Sequence, residues 1–323
     1  MQETEVSFIS GGVRLAGALS HPAKGGARGM VLLLSGSGPQ DRDESLEGQK
    51  PFRVLAQALS ERGYAAYRWD DRGVGASQGD YQAANGEVLV GDVGAAMAML
   101  RERAGISRCV LIGHSQGALI AAAAGARWPD AAGGVALLAG MGAPGRQGLL
   151  HQHQAICRAS GWSEADIAAS LALKSALFDV LMDTPEADLR GVLEATLRGD
   201  AALDAFDPEE RRALDDAVDD LMEWEWRYLL RAEPAHDLRR LTCPVFAMAG
   251  AADVQIDAAA SLRAVADACE HAAAVETVLL PGHNHLFQHA QTGALEEYAR
   301  AGRPFTDAAL APLRRWLDSL RTD

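Results

Sequence analysis

The sequence lacks any apolar run long enough to span a membrane, a length of about 20 residues. Of its 323 residues, 48% are hydrophobic and 23% are charged, which is typical of a globular protein. The first five residues include two acids and have neither the basic nor the apolar segment of a secretory signal. The composition therefore predicts a protein that does not cross membranes and lies in the cytoplasm.

Cysteines and basic residues are also scarce. The four cysteines form no C-x-x-C pair, so we expect reduced thiols. The formal net charge is -14, which opposes binding to nucleic acid or anionic lipid and leaves small neutral molecules unaffected. The charge thus favours a small-molecule substrate over nucleic acid or membrane, and the sequence is compatible with a homo-oligomer.

The main functional signal is the pentapeptide 113–117, Gly-His-Ser-Gln-Gly, whose centre is Ser115. An apolar run at 109–112 precedes it and an alanine-rich, helix-forming run at 118–124 follows. G-x-S-x-G between a strand and a helix is typical of a nucleophile elbow, the sharp turn that exposes a reactive serine. Glycines two positions either side leave room for that turn. The pattern predicts Ser115 as a catalytic nucleophile.

Short apolar runs alternate with helical patterns along most of the chain, which predicts an α/β fold with a mostly parallel, doubly wound sheet. An antiparallel hairpin with a glycine turn is expected before it. The predicted hairpin strands are 6–10 and 13–19, and the predicted parallel strands are 30–34, 65–69, 109–112, 134–138, 244–248 and 275–280. The predicted helices are 51–62, 88–103, 258–269 and 307–320.

One long segment, residues 145–241, interrupts this alternation because it contains helical patterns and no credible strand. It predicts a helical cap between two parts of the core, residues 1–144 and 242–323. The segment holds Trp162, Trp224 and Trp226, half of the six tryptophans. These indoles are candidates for lining a substrate pocket, although packing of the cap onto the core explains them equally well.

A catalytic serine requires a base and an orienting acid, which in this architecture follow it along the chain, each just after a strand. Asp253 ends a turn after the apolar run 244–248, and His285 follows the run 275–280. We therefore predict Asp253 as the acid and His285 as the base. Asp257 is the rival acid, but its position at a helix start is typical of a cap.

Other histidines also need interpretation. His283 is the rival base, because spacing alone allows either residue of the loop to reach the serine; it is otherwise expected at the pocket rim, where it would contact substrate. His289 is expected on a helix face or the surface, and His114 beneath the serine. His151 and His153 lie in a predicted helix, where their spacing does not suit a metal.

Stabilisation of a developing oxyanion requires backbone N–H donors. One donor is expected at Gln116, at the start of the helix after the elbow. The second is expected from the loop after the strand 30–34, where Ser37 is the first candidate and Gly36 the second. The adjoining charged segment 40–44 predicts a structural loop, either solvated or ion-paired at the pocket rim.

These motifs resemble the α/β-hydrolase superfamily over nearly the whole chain. The segments 35–43, 69–77 and 284–288 are similar to a bacterial serine esterase branch related to dienelactone hydrolases and serine aminopeptidases. The resemblance implies an α/β-hydrolase fold with a helical cap after the sixth strand, carboxylester hydrolysis and no cofactor. Relatives often carry His at the position of Ser35 and Glu at that of Gln116, which leaves the fine substrate preference open.

The triad predicts ester cleavage through an acyl-enzyme on Ser115, followed by hydrolysis. Amide or thioester hydrolysis and acyl transfer use the same chemistry and remain alternatives. A haloalkane dehalogenase would need a carboxylate at position 115. A binding protein built on a retired hydrolase would be expected to have lost a triad residue, and none is missing.

Overall fold

The computed structural model describes residues 1–199, 201 and 206–320. Eight strands form a single sheet in the order β1-β2-β4-β3-β5-β6-β7-β8. The strands are β1 (Gln2–Ser10), β2 (Val13–His21), β3 (Met30–Leu34), β4 (Ala65–Trp69), β5 (Cys109–His114), β6 (Ala132–Leu138), β7 (Val245–Gly250) and β8 (Val275–Leu280).

Helices separate most of the strands. They are α1 (Pro51–Glu61), α2 (Gly86–Ala104), α3 (Gln116–Arg127), α4 (Gly145–Ala159), α5 (Glu164–Asp183), α6 (Glu186–Arg198), α7 (Pro208–Met222), α8 (Trp224–Leu230), α9 (Pro234–Leu238), α10 (Ala258–Ala268) and α11 (Asp307–Ser319). A short 3-10 helix spans Leu295–Glu297.

The sheet confirms the predicted architecture. β1 and β2 pair antiparallel, β2 joins β4 antiparallel, and every pair from β4 to β8 is parallel. All residues of β3, β4 and β7 are buried, as expected for strands covered by helices on both faces. Because parallel strands end at the same edge, the loops after β3, β5, β7 and β8 meet there.

The insertion between β6 and β7 contains helices α4 to α9 in its described part, and residues 200 and 202–205 lie outside that part. Helices α4 to α8 contribute to a hydrophobic cluster distinct from that of the sheet. Helix α9 instead packs on α3 and α10, and its Leu238 belongs to the sheet cluster. The end of the predicted 145–241 segment therefore packs as part of the core.

The four cysteines, Cys109, Cys157, Cys243 and Cys269, are free and buried. Burial raises the pKa of the Cys109 thiol to about 12 and that of Cys269 to about 11. The Cys109 and Cys269 thiols therefore stay protonated and pack as small apolar side chains. Over residues 1–199, 201 and 206–320, no helix is both long and apolar enough to cross a bilayer.

The separate clusters predict that the insertion can be loosened without loosening the sheet. Phe178 is fully buried in the insertion cluster, so Phe178→Ala should remove about 3–5 kcal/mol of local packing. Hydrogen exchange should accelerate in α4 to α8 and stay unchanged in β3 to β7. Phe52→Ala, in the sheet cluster, is the matched control and should accelerate exchange in the sheet. Uniform acceleration by both variants would contradict two clusters.

Candidate active site

Ser115 lies on the turn between β5 and α3, where its backbone is strained. Its φ is 54° and its ψ is -121°, a backbone conformation that residues other than glycine rarely adopt. Two close approaches keep the turn sharp. A Cβ on Gly113 would lie 2.0 Å from the Gly117 carbonyl oxygen, and a Cβ on Gly117 would lie 2.1 Å from that of Leu34. Only glycine fits either position.

Asp253 and His285 lie beside each other after β7 and β8. His285 Nδ1 is 2.7 Å from Asp253 Oδ2, and the side chains are 4% and 0% exposed. The other carboxylate oxygen, Oδ1, accepts the backbone N–H groups of Gln255 at 2.7 Å and Ile256 at 3.2 Å. The carboxylate is thus fixed by its own loop and holds the proton on Nδ1, which leaves Nε2 free to act as a base.

Ser115 and His285 line the same small cavity, of about 50 Å³. Among the described residues, no hydrogen bond joins the Ser115 hydroxyl to His285, and such bonds in hydrolases often tighten only when substrate binds. Core residues lining the cavity include Met141 and Ile256, and the insertion contributes Gly148, Leu149, Gln152 and Leu229. The insertion therefore forms one wall of the site.

The loop after β3 places Ser37 on this cavity, and the turn after β5 places Gln116 there. Gln116 is the first residue of α3, so its N–H has no partner within the helix. The Ser37 N–H donates no hydrogen bond to another described residue. Gly36, the second candidate, donates its N–H to Glu44 Oε1 at 2.7 Å. That donor is occupied, which removes Gly36 from the oxyanion candidates.

Asp71 is a buried acid behind this loop. Burial raises its pKa to about 8, and the charges of Asp92 and Glu225 add to that effect, against the opposing hydrogen bond from Gln40. Its Oδ2 accepts the Gln40 N–H at 3.0 Å, so the carboxyl group anchors the loop that carries Ser37. Asp71 also lines a cavity of about 30 Å³ with Ser35 and Gln116.

Asp257 and His283, the alternatives to Asp253 and His285, both make structural contacts. Asp257 caps α10 by accepting the Ala260 N–H at 3.0 Å. His283 is 2% exposed, and its Nδ1 and Nε2 lie 2.8 Å from the Pro281 oxygen and 2.7 Å from Thr306 Oγ1. The loop folds the His283 ring inward, and His283 does not line the Ser115 cavity.

The three insertion tryptophans lie outside the Ser115 cavity. Trp162 is 49% exposed, and Trp226 packs on Phe178 in the insertion cluster. Trp224 donates its Nε1–H to the main-chain oxygen of Tyr81 at 3.0 Å and lines a separate cleft of about 1000 Å³. The contacts of Trp226 fit the packing interpretation. No sequence pattern pointed to Leu149 or Leu229, because aliphatic residues are ordinary in helices.

The remaining histidines of the insertion do not form a metal site. His153 Nε2 lies 2.7 Å from Ser170 Oγ, and burial lowers the pKa of its imidazole. Within the described part of the chain, no group of three His, Cys, Asp or Glu residues could hold a metal ion.

A family model described as serine aminopeptidase, S33, matches residues 47–289, about three quarters of the chain. The chain belongs to this family. Together with the sheet order, the match identifies an α/β-hydrolase. A stretch of 106 residues is 31% identical to esterase EstD from Thermotoga maritima, and this match spans 33% of the chain and 26% of that relative.

Solved structures share the fold across the chain. A proline iminopeptidase from Mycobacterium smegmatis has a TM-score of 0.60 at 15% identity, with 98% of each chain covered. An esterase from Pyrococcus furiosus has a TM-score of 0.59 at 16% identity, with 99% of this chain and 93% of that chain covered.

The surroundings of His285 and His283 predict opposite effects of mutation. His285→Ala should abolish labelling by a fluorophosphonate probe, because among the described residues His285 is the one histidine that hydrogen-bonds to Asp253. His283→Gln should label at nearly the wild-type rate, although loss of buried hydrogen bonds should cost about 1–3 kcal/mol of stability. Gel-based labelling at saturating probe measures both variants. Labelling of the His285 variant alone would assign the base to His283.

Proposed function

We propose that the protein is a serine carboxylesterase that cleaves small-molecule esters through an acyl-enzyme on Ser115. The observation that carries the proposal is the Asp253–His285 hydrogen bond of 2.7 Å beside the cavity that Ser115 lines. The 31% identity to an esterase over one third of the chain supports the ester assignment.

In this mechanism, His285 Nε2 takes the Ser115 proton as Oγ attacks the ester carbonyl carbon. Asp253 keeps the imidazole in the correct tautomer and stabilises the imidazolium. His285 then gives the proton to the departing alcohol. In the second half of the reaction, His285 takes a proton from a water molecule as its oxygen attacks the acyl carbon. The acid is released as the proton passes back to Ser115 Oγ. The backbone N–H groups of Gln116 and Ser37 stabilise the negative oxygen in both halves. None of these steps requires a cofactor.

The size of the cavity favours short acyl groups. Its volume is about 50 Å³, which is small beside the roughly 300–1,000 Å³ of typical ligand pockets. Leu149 and Leu229 of the insertion face Ser115 across it. We infer that the insertion acts as a cap that limits acyl length and shields the acyl-enzyme from bulk water.

A graded panel of p-nitrophenyl esters, run beside aminoacyl anilides, tests this function. Short esters should be hydrolysed fastest, and Ser115→Ala should lower kcat by about four to six orders of magnitude with the fold intact. Circular dichroism of the variant checks the fold. Faster cleavage of the anilides would assign amide hydrolysis, and a variant that retains a tenth of the wild-type turnover would exclude Ser115 as the nucleophile.

Leu229 should set acyl length. Leu229→Ala enlarges the cavity, so the kcat/KM ratio of an octanoyl to an acetyl ester should rise about 10-fold. Met222→Ala is the matched control, because Met222 packs on the same helical cluster but does not line the cavity. An equal rise in both variants would indicate general loosening of the cap, and no rise in either would show that Leu229 does not limit the acyl group.

A further inference from the structure

A buried glutamate lies between the loop after β3 and the nucleophile elbow. Glu44 is 5% exposed and has a φ of 54°, a strained value for a side chain of this size. Its Oε1 accepts the Gly36 N–H at 2.7 Å and lies 2.8 Å from His114 Nδ1. Glu44 thus contacts the residue before Ser37 and the residue before Ser115. Sequence analysis assigned the segment 40–44 only a structural role at the rim.

His114 extends this contact to the third catalytic element. Its Nε2 lies 2.9 Å from the main-chain oxygen of His285, and its ring centroid is 4.9 Å from the His285 ring. The partner at Nδ1 is a carboxylate and the partner at Nε2 is a carbonyl oxygen, and both of these only accept hydrogen bonds. With Glu44 ionised, each ring nitrogen donates a hydrogen bond, which favours the imidazolium form of His114.

Electrostatics agree with this geometry. Burial lowers the pKa of His114, but the charge of Glu44, the hydrogen bonds to Glu44 and His285, and the charge of Asp253 outweigh burial and leave the pKa raised. Phe287 provides an apolar neighbour. Because the folded-state pKa is raised, the imidazolium stabilises the fold fully below the ordinary pKa of histidine, and this contribution disappears as the pH rises through the raised pKa.

We propose that Glu44 and His114 are positioning residues, whose buried ion pair sets the spacing between the oxyanion loop, Ser115 and the backbone of His285. The inference rests on the proposed esterase function. It assigns the pair no contact with substrate.

Stability alone does not account for the pair. Glu44 Oε2 is buried without a hydrogen-bond partner among the described residues, and an incompletely satisfied buried ion pair is often less stable than apolar residues of the same volume. The three elements that it joins come from the ends of β3, β5 and β8. A shift of about 1 Å between catalytic groups can cost about 100-fold in rate.

Glu44→Gln separates charge from shape, because the amide oxygen can still accept from Gly36 and His114. Without the carboxylate, His114 loses one proton at neutral pH, and an unprotonated Nε2 repels the His285 carbonyl. At pH 8, kcat for a short p-nitrophenyl ester should fall about 10- to 100-fold, with KM changed less than about threefold.

The pH dependence distinguishes positioning from simple loss of packing. Lower pH restores the second proton of His114 in the variant, so the ratio of variant to wild-type kcat should rise as the pH falls. A ratio that does not change with pH would overturn the proposal.

Asp43→Asn is the matched control. Asp43 is adjacent to Glu44 and 6% exposed, but its carboxylate bonds to Arg68 Nε at 2.9 Å and to Lys50 Nζ at 3.3 Å. Asp43→Asn should lower the melting temperature and leave kcat within about twofold. An equal loss of kcat in the two variants would overturn the proposal by making loop stability the cause.

A spectroscopic readout covers the case in which Glu44→Gln does not fold. Nitrogen-15 NMR of histidine-labelled wild type should show one ring with both nitrogens protonated at pH 8, and His114→Gln should remove that signal. A neutral His114 ring at pH 8 would overturn the proposal.

The two inferences fail in distinguishable ways. If fluorophosphonate does not label Ser115 of the wild type, the esterase function fails whatever the Glu44 variant does. If the wild type is labelled and cleaves esters while Glu44→Gln matches its kcat, only the positioning role fails.

Discussion

The close backbone approach at the elbow constrains the rest of the site. Helix α3 can begin directly after Ser115 only because Gly113 and Gly117 have no Cβ, which would lie about 2 Å from backbone oxygens. The same turn exposes the Ser115 hydroxyl and directs the N–H of Gln116 toward the cavity. The acid and base are then supplied by loops at the same sheet edge, because β5 to β8 are parallel.

The site contains two buried pairs of an acid and a histidine, and both pairs contact the loop that carries His285. Asp253 holds the His285 ring at Nδ1, and Glu44 holds the His114 ring, whose far nitrogen meets the His285 carbonyl. The first pair serves the proposed proton transfer, and the second is inferred to fix where that transfer occurs. The side chains of both pairs are buried, and the low local dielectric constant strengthens both interactions.

Sequence patterns predicted the sheet and its insertion well because strand burial and helix periodicity are local properties. The strand 65–69 and the strand 275–280 match β4 and β8 in full. Side-chain direction within loops was harder: His283 turns inward to Thr306, and Glu44 turns inward to His114. These orientations follow from contacts between residues up to 70 positions apart, which no local pattern encodes. Family resemblance supplied the expectation of ester chemistry.

The central claim is that Ser115 carries the acyl group during turnover. Rapid acid quench of the enzyme with a slow-deacylating ester, followed by intact-mass and peptide mass spectrometry, tests it directly. The account predicts one acyl group per chain on the peptide that contains Ser115, and none in Ser115→Ala. Turnover without an adduct at that residue, or an adduct elsewhere that follows the kinetics of product release, would contradict the mechanism.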